Sequence, residues 1–180
     1  PIDPLLLQEA VRLVAPRFPS MLVSLHRGLF WYYLEQVPEP PQVRPDSSCP
    51  LVHMTSRELE PCALRVLYFR NRIAVEFFHS ITDGNGGLVF LKTLTAAYVS
   101  LCDGISIPPE EGVLDWHMPP DPAEWEDSFL KVAGQVSMSR REENAFRIQG
   151  AREQDGFLHL TVATVSSEAL RTLVKAHGVT

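Results

Sequence analysis

Two strand-like segments run directly into a helix-like segment, and this change of hydrophobic period constrains the fold more than any other feature of the sequence. ALRVLYF (63–69) and IAVEFFH (73–79) are rich in β-branched and aromatic residues, which favour strands. From residue 87 to about residue 102 the apolar residues recur instead at the spacing of an α-helix. Two strands joined by a short turn and followed by a helix indicate a fold that mixes α and β structure.

The two strands are predicted to form an antiparallel hairpin that brings a histidine to the end of a central strand. A tight turn at Asn71–Arg72 pairs Leu64 with His79 and puts both on the face of the apolar stripe. The following helix is predicted to close at Asp103–Gly104. Its buried face is expected to consist of Leu88, Leu91, Leu94, Thr95, Tyr98 and Leu101.

The rest of the chain predicts further elements of both kinds. They are a helix at 4–15 that ends at Pro16, two strands around Gly28 within 17–35, an edge strand near Val43, a helix at 123–134, a strand at 157–165, and a last helix that begins at Ser166 or Ser167 and stops at Gly178. This order favours an α/β (α+β) layered sandwich whose sheet is mixed and largely antiparallel.

Composition and charge limit the classes of function. The 180 residues are enough for one hydrophobic core, or for one large part of a bigger fold. A formal charge of −6 without a basic stripe argues against nucleic acid as a partner, and no apolar run is long enough to span a membrane. Cys49, Cys62 and Cys102 show no CxxC pairing, which predicts reduced thiols and a cytoplasmic location.

The segment FFHSITDGNGG (77–87) places a histidine where the second strand is predicted to end. Histidine can accept and return a proton near neutral pH, so His79 suits a general base. Asp83 is expected to fix the turn through hydrogen bonds or an ion pair, and Gly84 to allow a positive φ or a close approach of the backbone. The segment therefore indicates a catalytic loop between a strand and a helix.

Other interpretations of the same segment remain open. A histidine at a strand end is often an ordinary residue that hydrogen-bonds a neighbour. The alternative chemical role for His79 is that of a metal ligand, but no third ligand is indicated near it. The glycines lack the GxxxxGK pattern of a phosphate-binding loop.

FHSITDG (78–84), on a predicted strand, turn and helix, resembles the HHxxxDG signature of the acyltransferase superfamily with the chloramphenicol-acetyltransferase-like fold. That superfamily includes condensation domains of nonribosomal peptide synthetases, wax-ester synthases and alcohol acetyltransferases. LRTLVKAHGVT (170–180) is similar to the helix and turn that open the second half of condensation domains. RFPSMLVSLHRGLFWYYLE (17–35) is similar to an early segment of the alcohol acetyltransferase-like branch.

The resemblance implies a role for each residue of the motif. His79 corresponds to the second, catalytic histidine of the signature, and Gly84 to its glycine. Asp83 corresponds to the aspartate, which is expected to support the loop, commonly through an arginine. Phe78 stands where the first histidine would be, a departure that many of these acyltransferases share. Arg65 is a candidate partner for Asp83, although the predicted hairpin puts it on the face opposite His79.

The resemblance also implies one half of a larger site. Enzymes of this superfamily hold the active site between two similar lobes, and the second lobe commonly carries a DFGWG-like motif. Residues 1–180 are therefore expected to form a single N-terminal lobe of a two-lobe acyltransferase, with the C-terminal lobe absent from this chain. A C-terminal lobe or a second chain is expected to complete the site.

The expected activity is acyl transfer from a thioester to a small alcohol or amine. Acyl-coenzyme A, or the phosphopantetheine of an acyl carrier, serves as co-substrate, and neither a tightly bound cofactor nor a metal is expected. Two alternatives stay open: a non-catalytic condensation-like docking module, and a hydrolase that uses water as acceptor. No GxSxG nucleophile elbow supports the hydrolase.

Overall fold

The computed structural model describes residues 1–46, 55–124, 126, 131, 149–151 and 162–178. The chain divides into two compact units, Pro1–Val136 and Ser137–Thr180. In the first unit the helices are α1 (Pro4–Val14), α2 (Ser56–Leu59) and α3 (Gly84–Asp103), and the strands are β1 (Val23–Arg27), β2 (Tyr32–Gln36), β3 (Arg44–Pro45), β4 (Leu64–Phe69) and β5 (Arg72–Phe77). Single 3₁₀ turns lie at Ala15–Arg17, Pro19–Met21 and Pro122–Glu124.

The strands of the first unit form two small sheets, so the fold is α+β with antiparallel and mixed pairing. Strands β1 and β2 pair antiparallel around Gly28, as the sequence predicts. In the other sheet the order is β3-β4-β5, with β3 parallel and β5 antiparallel to β4.

The register of the β4–β5 hairpin differs from the predicted one by two residues. Leu64 pairs with Phe77 rather than with His79, because the turn lies at Arg70–Asn71 and not at Asn71–Arg72. Arg70 takes the positive φ of this turn, at 51°. Strand β5 therefore ends two residues before His79, and within the described three-stranded sheet it is an edge strand rather than a central one. A shift of two residues preserves the two faces of the strand.

Helices α1 and α3 pack together and against the core face of the β3-β4-β5 sheet. Asp3 caps α1 by accepting hydrogen bonds from the backbone of Leu5 and Leu6, and its own N–H donates to the Tyr98 hydroxyl of α3 at 2.9 Å. The buried cluster consists of Leu7, Ala10, Val11, Val14, Phe18, Met21, Cys62, Leu64, Val66, Phe90, Leu94, Ala97 and Tyr98.

The buried face of α3 is rotated from the predicted one. Leu88 is 48% exposed and Thr95 is exposed, whereas the buried positions are Gly87, Phe90, Thr93, Leu94, Ala96, Ala97 and Tyr98. The helix packs against α1 as well as the sheet, and Thr93 accepts a hydrogen bond from the backbone of Leu114 at 3.0 Å. Helix α3 is therefore covered by α1, by the sheet and by the segment at Leu114. Its buried surface is wider than a single apolar stripe.

The second unit contributes helix α4 (Ser167–Ala176). Ser166 caps it by accepting from the Ala169 N–H at 3.3 Å, and Gly178 follows the helix with a φ of 64°, as the sequence predicts. The predicted helix at 123–134 and strand at 157–165 lie largely outside the described residues, and 162–165 carry no strand. None of the helices in the described part of the chain combines the length and apolar character needed to cross a membrane.

Candidate active site

His79 lies in a hydrogen-bonded turn between β5 and α3. The Phe78 N–H donates to the Ala63 carbonyl at 2.9 Å, and the Ile81 N–H donates to the Phe78 carbonyl at 3.0 Å. These bonds make His79 and Ser80 the central residues of a four-residue turn. The His79 side chain is exposed, so the turn presents an imidazole to solvent on a backbone that is fixed at both ends.

Two apolar side chains of the same turn anchor it. Phe78 and Ile81 pack against a small second cluster that consists of Val23, Leu59 and Ala63. Phe78 is therefore a packing residue of this turn. The sequence signal for this role is that Phe77 and Phe78 are adjacent, so that in extended backbone they point to opposite sides.

Phe77 lies between the first turn of α3 and His79. Its ring contacts the His79 ring edge to face, with 6.4 Å between the centroids and 65° between the planes. Edge-to-face pairs within this range contribute about 0.5–1.5 kcal/mol. On its other side the Phe77 ring occupies the space above Gly87, where a Cβ would lie 2.6 Å from the Phe77 Cζ. The sequence did not single out Phe77.

Asp83 is the N-cap of α3. Its Oδ1 accepts a hydrogen bond from the Gly86 N–H at 2.8 Å, and its carbonyl accepts from the Gly87 N–H at 3.0 Å. A backbone N–H is one of the two partners expected for this carboxylate. The other candidate, Arg65, forms its ion pair with the cross-strand residue Glu76, with 2.6 Å between Nη2 and Oε2.

The three glycines of the loop differ in the space around them. Gly84 shows neither the positive φ nor, in the described part of the chain, the close approach that the sequence suggests, whereas Gly86 and Gly87 have close neighbours. Gly84 begins α3 without a positive φ, and among the described residues no atom lies within 4 Å of the position that a Cβ would take there. A Cβ at Gly86 would collide with the Thr82 hydroxyl, and one at Gly87 with the Phe77 ring. The surrounding side chains therefore crowd a Cβ at 86 and 87 but not at 84.

We expect Gly87→Ala to destabilise the protein by roughly 1–3 kcal/mol, because the new methyl group overlaps the Phe77 ring and core overpacking costs this much. Gly84→Ala is the matched control at the open position of the same helical turn, and its expected effect lies between zero and about 0.5 kcal/mol in the stabilising direction. Chemical denaturation gives both values. Equal losses in the two variants would contradict the packing of Phe77 on Gly87.

We expect Asp83→Ala to lower the free energy of unfolding by about 1 kcal/mol, the usual effect of losing an N-cap. Asp83→Asn is expected to cost only a few tenths, since an amide oxygen can accept the same hydrogen bond from Gly86. If Asp83→Asn kept its stability and lost all turnover, Asp83 would act directly on substrate.

A second polar cluster lies on the β1–β2 hairpin. Ser24 Oγ lies 2.8 Å from His26 Nε2 and donates a hydrogen bond to the Glu35 carbonyl at 3.2 Å. The Glu35 carboxylate also approaches Nε2, at 3.5 Å. A catalytic triad needs the nucleophile and the acid on different ring nitrogens, with the base accepting the nucleophile's proton. This cluster therefore does not form a serine hydrolase site.

Cys62 does not supply a nucleophile either. Burial raises the pKa of the Cys62 thiol, which is 4% exposed in the core. A thiol that stays protonated is a poor nucleophile. Cys102 is free and exposed near the end of α3. Among the residues that the structure describes, no three His, Cys, Asp or Glu side chains converge in the way that a metal site requires.

An ion pair between a buried arginine and a partly exposed glutamate joins the 3₁₀ turn after α1 to the 3₁₀ turn at Pro122–Glu124. The Arg17 guanidinium, 9% exposed, binds both carboxylate oxygens of Glu124, with 2.6 Å between Nη2 and Oε1. These hydrogen bonds lower the pKa of Glu124 and raise that of Arg17. The Arg17–Glu124 ion pair connects the segment that follows α3 to the N-terminal part of the unit.

A cavity of about 200 Å³ lies near the start of β4. It is lined by Glu39, Pro40, Pro41, Gln42, Arg44, Pro61, Cys62, Leu64 and Arg65. Pockets for drug-sized ligands usually exceed 300 Å³. This cavity is too small to enclose an acyl-coenzyme A, and none of its lining residues belongs to the 77–87 segment.

No family model matches this sequence, and no curated protein matches it. Among solved structures the chain is similar to the SgcC5 protein from Streptomyces globisporus, which was crystallised in complex with (R)-(-)-1-(2-naphthyl)-1,2-ethanediol and sucrose. The two share 23% sequence identity with a TM-score of 0.42, over 61% of this chain and 29% of SgcC5. The chain thus spans less than a third of SgcC5, and a likeness at this TM-score carries no argument about function.

Proposed function

We propose that this chain is the histidine-bearing lobe of an acyltransferase with the chloramphenicol-acetyltransferase-like fold. The observation that supports it best is the setting of His79: an exposed imidazole on a turn held by two backbone hydrogen bonds and two apolar anchors. The β5–turn–α3 order carries the HxxxDG pattern in the arrangement that the resemblance implies.

In the proposed reaction His79 is a general base and then a general acid. The imidazole takes the proton of the acceptor's hydroxyl or amine as that atom attacks the thioester carbonyl. The C–S bond of the resulting tetrahedral intermediate then breaks, and the imidazolium returns the proton to the leaving thiolate. The products are an ester or amide and a free thiol, so the proton and the acyl group balance without an added oxidant, reductant or metal.

The donor is proposed to be acyl-coenzyme A or an acyl carrier, and the acceptor a small alcohol or amine. A second lobe, on the same polypeptide or on another, is proposed to complete the site, because one exposed histidine does not by itself position two substrates. The resemblance of 17–35 to the alcohol acetyltransferase-like branch favours a hydroxyl acceptor. Reduced thiols at Cys62 and Cys102 suit a cytoplasmic reaction.

A non-catalytic docking module is the second candidate, and one surface favours it. Leu29, Phe30 and Trp31 at the turn of the β1–β2 hairpin are 88%, 92% and 62% exposed, and the aromatic strand β2 that follows is exposed along its whole length. Contiguous exposed apolar surface marks an interaction site. A docking module would keep this surface and make no use of the His79 imidazole.

The proposal is tested by measuring free thiol released from a panel of acyl-coenzyme A donors by the gene product that contains this chain. Acyl transfer predicts release that rises at least about tenfold when a suitable alcohol or amine is added, which is the gain from positioning a second reactant. A hydrolase would release thiol at the same rate without the acceptor. A docking module would release none with any pair.

A further inference from the structure

We propose that Phe77 is a positioning residue that sets the orientation of the His79 imidazole, and that Gly87 is a glycine so that Phe77 can take this place. The inference rests on the proposed function, in which His79 acts on substrate. It adds two residues outside the HxxxDG pattern to the catalytic arrangement. Their juxtaposition couples the first turn of α3 to the histidine.

The turn leaves the orientation of the imidazole to be fixed by something else. The hydrogen bonds of Phe78 and Ile81, with their packing on the second cluster, determine where the His79 backbone lies. They do not fix the side-chain torsions, which for an exposed histidine are otherwise limited only by rotamer preference. The edge-to-face contact with Phe77 acts on the ring itself.

Phe77 is suited to this role because it is held from its other sides. It is the last residue of β5, where it pairs with Leu64, and it packs against the main core. The Phe77 Cε1 and Cζ atoms occupy the place that a Cβ of residue 87 would take. A ring confined in this way can transmit its position to His79, whereas a mobile ring could not.

Kinetics of the gene product test the inference, with three variants compared. Phe77→Leu removes the ring and keeps an apolar side chain, and Gly87→Ala displaces the ring without removing it. Both are expected to lower kcat by roughly 10- to 100-fold, the effect of a small misplacement of a catalytic group, with KM changed less than about threefold. Phe90→Leu is the control: Phe90 is a buried core aromatic, 1% exposed, that contacts Phe18 edge to face at 5.1 Å.

Phe90→Leu is expected to destabilise the protein at least as much as Phe77→Leu while leaving kcat within about threefold of wild type, because the ring contact that it removes is with Phe18 and not with His79. Wild-type kcat in Phe77→Leu would overturn the inference. So would equal losses of kcat in Phe77→Leu and Phe90→Leu, since these would show a general effect of lost packing.

A spectroscopic measurement separates this inference from the proposed function. In the 180-residue chain, the Cε1–H resonance of His79, one of six histidines, can be assigned by its disappearance in His79→Gln. The chemical shift of this resonance is expected to change in Phe77→Leu and Gly87→Ala and to stay the same in Phe90→Leu. An unmoved resonance in Phe77→Leu would overturn the inference even if the protein transfers acyl groups. Movement in a protein without transfer activity would support the contact and refute the proposed reaction.

Discussion

Replacing His79 with alanine is expected to lower the rate of acyl transfer by on the order of 10²–10⁴, the contribution of a general acid–base group. The free energy of unfolding of this variant is expected to fall by no more than about 0.5–1.5 kcal/mol, the contribution of the lost contact with the Phe77 ring, because the side chain is otherwise exposed. The rate is measured as thiol release from the best donor and acceptor pair, and stability by denaturant unfolding.

His117→Ala is the matched control, because His117 is also exposed and also lies beside an aromatic ring, that of Trp116 at 5.6 Å. It is expected to keep the wild-type rate. A wild-type rate in His79→Ala, on a substrate pair that the enzyme turns over well, would contradict the assignment of His79 as the base. A loss in both variants would indicate an effect that is not specific to this loop.

Glu124→Gln is expected to be among the most destabilising single changes outside the apolar core, at about 2 kcal/mol. Removing one partner of a fully buried pair costs 3–5 kcal/mol, and the value here is reduced because the Glu124 side chain is 43% exposed. Arg17→Met is expected to cost less, about 1 kcal/mol, since the carboxylate left behind can turn to water whereas a buried guanidinium cannot. Denaturant unfolding of both variants measures the difference between these two losses of unfolding free energy. Equal losses in Glu124→Gln and Arg17→Met would contradict the prediction.

The same pair gives a pH dependence of known sign. The pKa of Glu124 is lowered in the folded protein by its hydrogen bonds to Arg17. A lowered folded-state pKa means that the stabilisation is fully present above the unfolded pKa, about 4.3, and is lost as the pH falls through the folded pKa. The difference in unfolding free energy between wild type and Glu124→Gln is therefore expected to be constant near pH 7 and to narrow below about pH 4.3. A difference that grew on acidification would contradict this account.

Elements with strong local signals could be predicted from the sequence. The N-cap at Ser166, the turn at Gly28 and the left-handed glycine at Gly104 each mark a boundary that the structure has. The hairpin register could not be predicted in the same way. The Arg70 carbonyl accepts a hydrogen bond from the Ile2 N–H at 2.6 Å, a contact between distant parts of the chain that accompanies the displaced turn.

For the candidate site, the sequence indicated the loop but not the contacts that shape it. His79 and Asp83 could be found because their types and spacing form a pattern. Phe77 and Gly87 could not, because their contact depends on how α3 folds back over β5, and this is a tertiary property. The described residues do not crowd position 84, and the sequence could not show this either, because which glycine is confined depends on what packs above it.

The central claim is that His79 takes a proton from an acceptor during acyl transfer. Its most direct test is a product analysis by mass spectrometry, run in parallel on the wild-type gene product and on His79→Ala with one acyl-coenzyme A and one acceptor. The account predicts one equivalent of acylated acceptor for each thiol released by the wild type, and at least about 100-fold less of it from His79→Ala in the same time. Free acid in place of acylated acceptor, or equal product from the two proteins, would contradict it.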